Sequence, residues 1–249
     1  MSIYARSTKE LLKDFAHECL KQDQVFSKET AISWFASRYP KIKPTTISMH
    51  IEGMSINNPK IRKHHPNIRP GSGHDVFFKI GRNQFRLWNQ QTDGSPQFST
   101  DMAEKLSDME EQSDTEVVNS TEREFAFEHD LRDYLARNLA KIEAGLKLYE
   151  EEEIRGIEFP VGGRFIDILA IDSNDDYVVI ELKVSRGYDR TIGQLLRYMG
   201  WIEANLAAGK KVRGVIVASK ISEDLKLAAS RIRDVKLFEY KISLSVRGI

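Results

Sequence analysis

The stretch Asp176–Trp201, DYVVIELKVSRGYDRTIGQLLRYMGW, sets Glu181 and Lys183 into a run of Val, Ile and Leu. In an extended chain, residues two apart point to the same side, and unpaired charges are costly to bury. Either that side faces water or the pair does chemistry. Just ahead, GRFIDILAID carries Asp167, and Ser173-Asn174-Asp175 joins the two segments with the composition of a turn. Paired as a hairpin about that turn, Asp167 falls opposite the Glu181–Lys183 stretch, with cross-strand neighbours about 5 Å apart. Two carboxylates on one face can hold a hard divalent cation such as Mg2+, with Mn2+ as a substitute. Such a cation polarises a phosphoryl oxygen and lowers the pKa of a bound water. Lys183 can orient that water or offset charge developing on the phosphate. The set suits phosphodiester hydrolysis.

These residues need a frame. The segment STEREFAFEHDLRDYLARNLAKI sets Phe127, Leu131, Tyr134, Leu135, Leu139 and Ile142 on a helical stripe. Three strand candidates follow, EIRGIEFP, GRFIDILAID and DYVVIELKVS, then a helix at about 189–207, the strand VRGVIVAS, the helix SEDLKLAASRIRD and one or two strands in VKLFEYKISLSV. The order αβββαβ with an αβ extension predicts an α/β class with a mixed sheet and helices on both faces. Gln194 and Tyr198, four apart, share a face of the helix behind the Glu-x-Lys strand. Asp172, Asp175 and Asp176 read as turn acids, and Glu150–Glu153 as a solvated run.

Asp167 of FID, then Glu181 and Lys183 of ELK, within the order αβββαβ, resemble the PD-(D/E)XK nuclease superfamily, whose core is restriction-endonuclease-like. More narrowly, GRFID, YVVIELK and GQLLRYMGW, behind a helix bearing FEHDLRDYL, resemble the C-terminal nuclease domain of NucS-type (EndoMS) mismatch endonucleases over about 122–245. The resemblance implies that Asp167, Glu181 and the backbone carbonyl of Leu182 hold the metal. It also implies that Glu128 completes the acidic cluster and that Gln194 and Tyr198 sit beside the site. Arg164 would touch the scissile region or pair with an acid.

Net charge is zero over the 249 residues, but unevenly laid out. Residues 1–89 carry a net +8 and residues 90–122 a net −8, so a basic head and an acidic bridge precede a balanced body. The bridge, residues 90–121, is poor in large apolar side chains and reads as a linker, with a short helix near Met102–Met109. Residues 122–249 form the nuclease domain. In the head, residues 1–89, helices are expected at Thr8–Leu20, at Lys28–Tyr39 capped by Ser27, and in KPTTISMHIEGMSIN. A basic loop and a hairpin turning at Gly81-Arg82-Asn83-Gln84 follow. Three helices, a basic loop and a hairpin resemble a separate winged helix-turn-helix domain. On that reading Thr45, Thr46, Ser48, His50 and Glu52 face bases in the major groove, while Lys60, Arg62, Lys63, Arg69 and Arg82 meet phosphates. His64 and His65 in the same loop read as solvated.

No run is apolar enough for a membrane span, the N-terminus lacks a signal-peptide core, and the single Cys19 excludes an internal disulfide and a cysteine-built zinc site. The expectation is a Mg2+-dependent endodeoxyribonuclease of the cytoplasm, held to the nucleoid through double-stranded DNA and acting as a homodimer, because cutting both strands needs two sites. A basic reading head favours restriction or modification-dependent defence. The alternatives are NucS-like mismatch repair, a DNA-binding regulator on a vestigial nuclease core, and a nuclease for RNA or for nucleic-acid structure.

Overall fold

The computed structural model describes residues 3–62, 68, 72–97, 121–152, 154–162, 164–187 and 190–242. The chain forms two compact units. Residues 1–115 with 150–155 make the first, and residues 116–149 with 156–249 the second.

The first unit holds α1 (Thr8–Cys19), α2 (Lys28–Arg38), α3 (Pro44–Gly53), a single turn α4 (Pro59–Arg62), and a hairpin of β1 (Phe77–Gly81) and β2 (Gln84–Leu87). Ser7 caps α1, its hydroxyl accepting the Glu10 N–H, and Pro44 opens α3 with a φ already suited to a helix. Phe15, Phe35, Ile47, Ile51, Phe77 and Phe85 bury one side of each element in a common core. The hairpin turns through Arg82 and Asn83 between the paired Gly81 and Gln84. Ser27 makes no capping bond to α2. Instead Asn83 reaches back from the hairpin and accepts the Lys28 N–H at 3.2 Å.

Two expectations are corrected in this unit. The acidic bridge begins later than residue 90. Asp93 takes the Arg86 guanidinium at 2.6 Å, which holds its carboxyl down at about 2. The Gln97 N–H donates to Ile56 O at 2.7 Å, so residues 90–97 are bound to the helical core. The remainder of the bridge, with the helix at Met102–Met109, lies outside the described residues. The Glu150–Glu153 run is not simply solvated either. Glu150–Glu151 (β4) and Ile154–Arg155 (β5) form a small antiparallel hairpin. Glu151 accepts from Lys43 Nζ at 2.7 Å and Thr46 Oγ1 at 3.2 Å, next to the start of α3. Glu152, 4% exposed, accepts the N–H of Thr8 at the start of α1 and that of Ile3 ahead of it. Carboxylates there complement the positive ends of both helices.

The second unit opens with α5 (Thr121–Arg137) and a 3-10 turn at Leu139–Lys141. Its strands are β3 (Lys147–Leu148), β6 (Ile157–Val161), β7 (Arg164–Ile171), β8 (Tyr177–Gly187), β9 (Val212–Ile221) and β10 (Val235–Glu239). The sheet runs β10-β9-β8-β7-β3, and β6 also pairs with β7. Antiparallel β7 and β8 form a hairpin, while β8, β9 and β10 are mutually parallel. Helix α6 (Arg190–Asn205) makes the crossover between β8 and β9, and α7 (Glu223–Ala229) that between β9 and β10. The mixed α/β sheet is therefore as the element order predicts, although the EIRGIEFP segment divides, its Ile154–Arg155 going to the hairpin of the first unit.

Val178, Ile180 and Leu182 of β8 join Ile168, Val215 and Val217 in a core with Leu131 and Leu135 of α5. Residues of the other parity on β8 and β9 face α6. Gly214 is required there, because a Cβ at this position would lie 2.7 Å from both Leu195 Cδ2 and Met199 Sδ. The helix thereby comes close to the sheet surface on which Glu181 and Lys183 stand.

Candidate active site

The register of the β7–β8 hairpin brings the site together. Its pairs run from Ile171↔Tyr177 to Ile168↔Ile180, and the turn is tied by Asp172, whose Oδ1 accepts the N–H groups of Asn174 and Asp176. One step further along the same register Asp167 stands opposite Glu181. There the backbone ladder gives way to a side chain, with Asp167 Oδ2 accepting the Leu182 N–H at 2.7 Å. The strand edge is satisfied by the carboxylate, and the carboxylate is fixed by the strand.

Glu181 is 1% exposed, and its Oε1 receives Lys183 Nζ at 2.8 Å. Its Oε2 is buried with no hydrogen-bond partner. Burial, reinforced by the Asp167 charge, pushes the Glu181 carboxyl up to about 8. Burial also raises Asp167. For Lys183, burial works against the charge, but Glu181 and Asp167 outweigh it and hold the ammonium above its ordinary range. Two buried acids, both raised, thus stand beside a lysine whose charge they stabilise.

From α6, Gln194 Nε2 donates to the Tyr198 hydroxyl at 3.2 Å. Tyr198 is buried, its phenol raised by burial and by the charges of Glu181 and Asp167. Half-buried Glu128 on α5 adds its charge to Glu181 and Lys183. The structure thus gathers Asp167, Glu181, Lys183, Gln194 and Tyr198, with Glu128 in electrostatic reach. Arg164 is not gathered. It is exposed at the first position of β7, and the strand's two-residue period sends it to the face opposite Asp167.

Two residues join the site without a sequence signal of their own. Arg132 of α5, 8% exposed, and Glu158 of β6 form an ion pair at 2.6 Å, and both charges act on Asp167. Glu158 becomes visible only once β6 is registered against β7. Tyr240 is a third addition, its hydroxyl donating to Val184 O at 3.0 Å and its phenol raised by burial and by Glu128.

The donor set fits a hard divalent cation. Among the described residues no group of three or more His, Cys, Asp or Glu could hold a metal, but Mg2+ binds through one or two carboxylates and keeps several waters. Asp167 and Glu181 could supply that pair, and Glu181 Oε2 is buried without a hydrogen-bond partner.

The predicted nucleic-acid face of the first unit is partly corrected. Thr46 and His50 are 2% and 1% exposed and do not face outward. Glu52 is held by Lys28 at 2.7 Å and Lys79 at 2.8 Å. Arg62 is 1% exposed and locked to Asp75, so it meets no phosphate. Thr45 and Ser48 are half-buried, the Ser48 hydroxyl donating to Pro44 O. Arg82 is exposed at the hairpin turn, as expected. Lys63, His64, His65 and Arg69 lie outside the described residues, as does the side chain of Lys60.

Comparison with known proteins agrees with the chemistry of the second unit. Residues 127–241 match the family described as Endonuclease NucS C-terminal domain, and residues 7–87 match a domain of unknown function (DUF7669). The endonuclease NucS of Pyrococcus furiosus is 30% identical over 99 residues, 40% of this chain and 34% of that protein. The NucS of Bifidobacterium adolescentis is 31% identical over 102 residues, 41% of this chain and 40% of its own. The chain thus spans about a third to two fifths of the curated relatives it matches. Among solved structures, a repair endonuclease from Pyrococcus abyssi shares 22% identity over 51% of this chain and 50% of that one, with a TM-score of 0.38. A complex of EndoMS with double-stranded DNA shares 23% identity over 53% of this chain and 50% of that one, with a TM-score of 0.38. The segment similar to the endonuclease NucS C-terminal domain lies in the second unit and includes the paired carboxylates and their lysine.

Proposed function

We propose that the chain is a Mg2+-dependent endonuclease of the PD-(D/E)XK type that hydrolyses phosphodiester bonds of double-stranded DNA. The observation that carries this reading is the Asp167–Glu181–Lys183 constellation, with an unpartnered buried carboxylate oxygen, inside a segment matched by an endonuclease domain. Asp167 and Glu181 would hold the cation, joined by the Leu182 carbonyl between Glu181 and Lys183. When bound, the cation polarises the phosphate and acidifies a water.

The protein's own part follows from the geometry. Glu181 must release the proton that burial favours before it can hold the cation, so cation binding strengthens as pH rises. Lys183, kept charged by both acids, donates to the attacking water or to the phosphate oxygen on which charge builds. Gln194 aligns the Tyr198 hydroxyl beside this centre, where it can donate to the same phosphate. Glu128 adds negative charge that favours retention of the cation.

The NucS-type match supports a mismatch-repair role. The net +8 of residues 1–89 supports a winged-helix-like reading head and a restriction or modification-dependent role. Cuts on both strands require two sites, so a homodimer belongs to the proposal, testable by sedimentation. The discriminating experiment incubates the protein and Mg2+ with matched, methylated and mismatched duplexes and with RNA, beside Asp167→Asn. Mg2+-dependent nicking of DNA, lost in the variant, is expected. Cleavage confined to mismatches selects repair, and cleavage that follows sequence or methylation selects restriction. Nicking that survives Asp167→Asn overturns the site assignment.

A further inference from the structure

Strand β6 pairs with β7 through Ile157↔Ile168 and Phe159↔Ile166. The step between these pairs sets Glu158 against Asp167, just as the other edge of β7 sets Glu181 against it. Three neighbouring strands thus carry three acids in one line across the sheet. Glu158 leaves that line in one respect. Its φ is +45°, in the left-handed region that a side chain with a Cβ rarely adopts. The regular pairs on either side hold it there. Strain of this kind persists only where the surrounding structure over-determines it, and it clusters at functional sites.

What the Glu158 carboxylate holds is a cation. Arg132 Nη1 lies 2.6 Å from its Oε1, and His129 Nε2 lies 3.5 Å away. The other nitrogens of Arg132 donate to Asp133 Oδ1 at 3.0 and 3.1 Å. The guanidinium is thus shared between two acids, neither of which is Asp167. A guanidinium forms bidentate pairs with carboxylates readily, and one seated on Asp167 would compete with a metal ion for the same oxygens.

We propose that Glu158 is a positioning residue that docks Arg132 away from Asp167 and so keeps that carboxylate available to a divalent cation. The inference rests on the metal-dependent reading above. It makes Arg132 a switchable charge. Docked on Glu158 it stays off Asp167, and released it would pair with Asp167 directly.

The test measures Mg2+ binding to the full-length, metal-free protein by calorimetry, in wild type, Glu158→Gln, the double variant Glu158→Gln/Arg132→Gln, and Asp167→Asn. Glu158→Gln should weaken Mg2+ binding about tenfold, and adding Arg132→Gln should restore it to within about threefold of wild type. A purely structural ion pair would lower the melting temperature in Glu158→Gln and recover it in the double variant as well, so the loss and rescue of Mg2+ affinity are read at a temperature where every variant is fully folded. A crystal structure of Glu158→Gln supplies a readout that needs no metal, and Arg132 should move into hydrogen-bond distance of Asp167. Unchanged Mg2+ affinity in Glu158→Gln, no rescue in the double variant, or an Arg132 that stays off Asp167 overturns this inference alone. If the wild type shows no Mg2+ binding sensitive to Asp167→Asn, the metal-dependent reading falls and takes this inference with it.

Discussion

Replacing Glu181 by Gln isolates the electrostatic burden of the site. The carboxyl is 1% exposed and displaced from 4.5 to about 8 by burial first and the Asp167 charge second. At about 1.4 kcal/mol per pH unit this displacement amounts to roughly 4–5 kcal/mol. Its sign follows from proton counting. Between pH 4.5 and about 8 the native state keeps a proton that the unfolded chain has released. The contribution is therefore fully present below pH 4.5 and is lost as pH rises to about 8. Asp167, raised for the same reason, tilts the curve the same way. Gln keeps the shape of the protonated acid and cannot ionise. It keeps an oxygen that can accept from Lys183 Nζ but removes the negative charge of that 2.8 Å pair, and since Lys183 stays charged throughout this range, that loss offsets the curve without tilting it. Calorimetric unfolding in chelator from pH 5 to 9 should show wild type losing stability with pH and Glu181→Gln losing much less. The two transitions of the second unit should converge or diverge by on the order of 10 °C across the range, at about 2–4 °C per kcal/mol. Saturating Mg2+ should cancel much of the alkaline loss in wild type and have little effect on the variant. Parallel curves for the two proteins would refute the reasoning, because they would mean that Glu181 ionises without penalty in the folded state.

Further expectations concern both units. Asp167→Asn should abolish nicking of duplex oligonucleotides, and Lys183→Ala should slow it by about 10²–10³, the range for losing a group that stabilises developing charge; a Lys183→Ala rate within threefold of wild type would remove that role. Arg62→Ala should destabilise the first unit by about 3–5 kcal/mol in urea titration, because it strands Asp75 in a buried pair. Arg82→Ala, at the exposed hairpin turn, should leave the melting temperature unchanged while weakening duplex binding and lowering its salt dependence by about one phosphate contact; unaltered binding would take the hairpin turn out of the nucleic-acid surface. Glu152→Ala should cost the first unit about 2–3 kcal/mol in thermal unfolding, since it removes the acceptor for the Thr8 N–H at the start of α1 and for the Ile3 N–H ahead of it.

The sequence by itself determined the frame and the centre of this protein. A two-residue period, a turn of Ser173-Asn174-Asp175 and charges placed among Val and Ile are local signals, and they settle the hairpin register that sets Asp167 against Glu181. The amphipathic stripe of α5 and the Gln194–Tyr198 spacing are local in the same way. Only the tertiary structure decided which charges are buried and what holds them. Thr46, His50 and Arg62 belong to a basic, polar region that reads as surface, but packing turns them inward, with Thr46 bonded to Glu151 and Arg62 to Asp75. Glu151 and Glu152 look solvated until helix starts more than 100 residues earlier in the chain supply their donors. Glu158 reaches the site through a register between β6 and β7 and a grip on α5, two long-range pairings that no window of sequence contains. Hydrophobic period is written residue by residue along the chain, whereas the compensation of a buried charge depends on whichever distant partner the fold delivers to it.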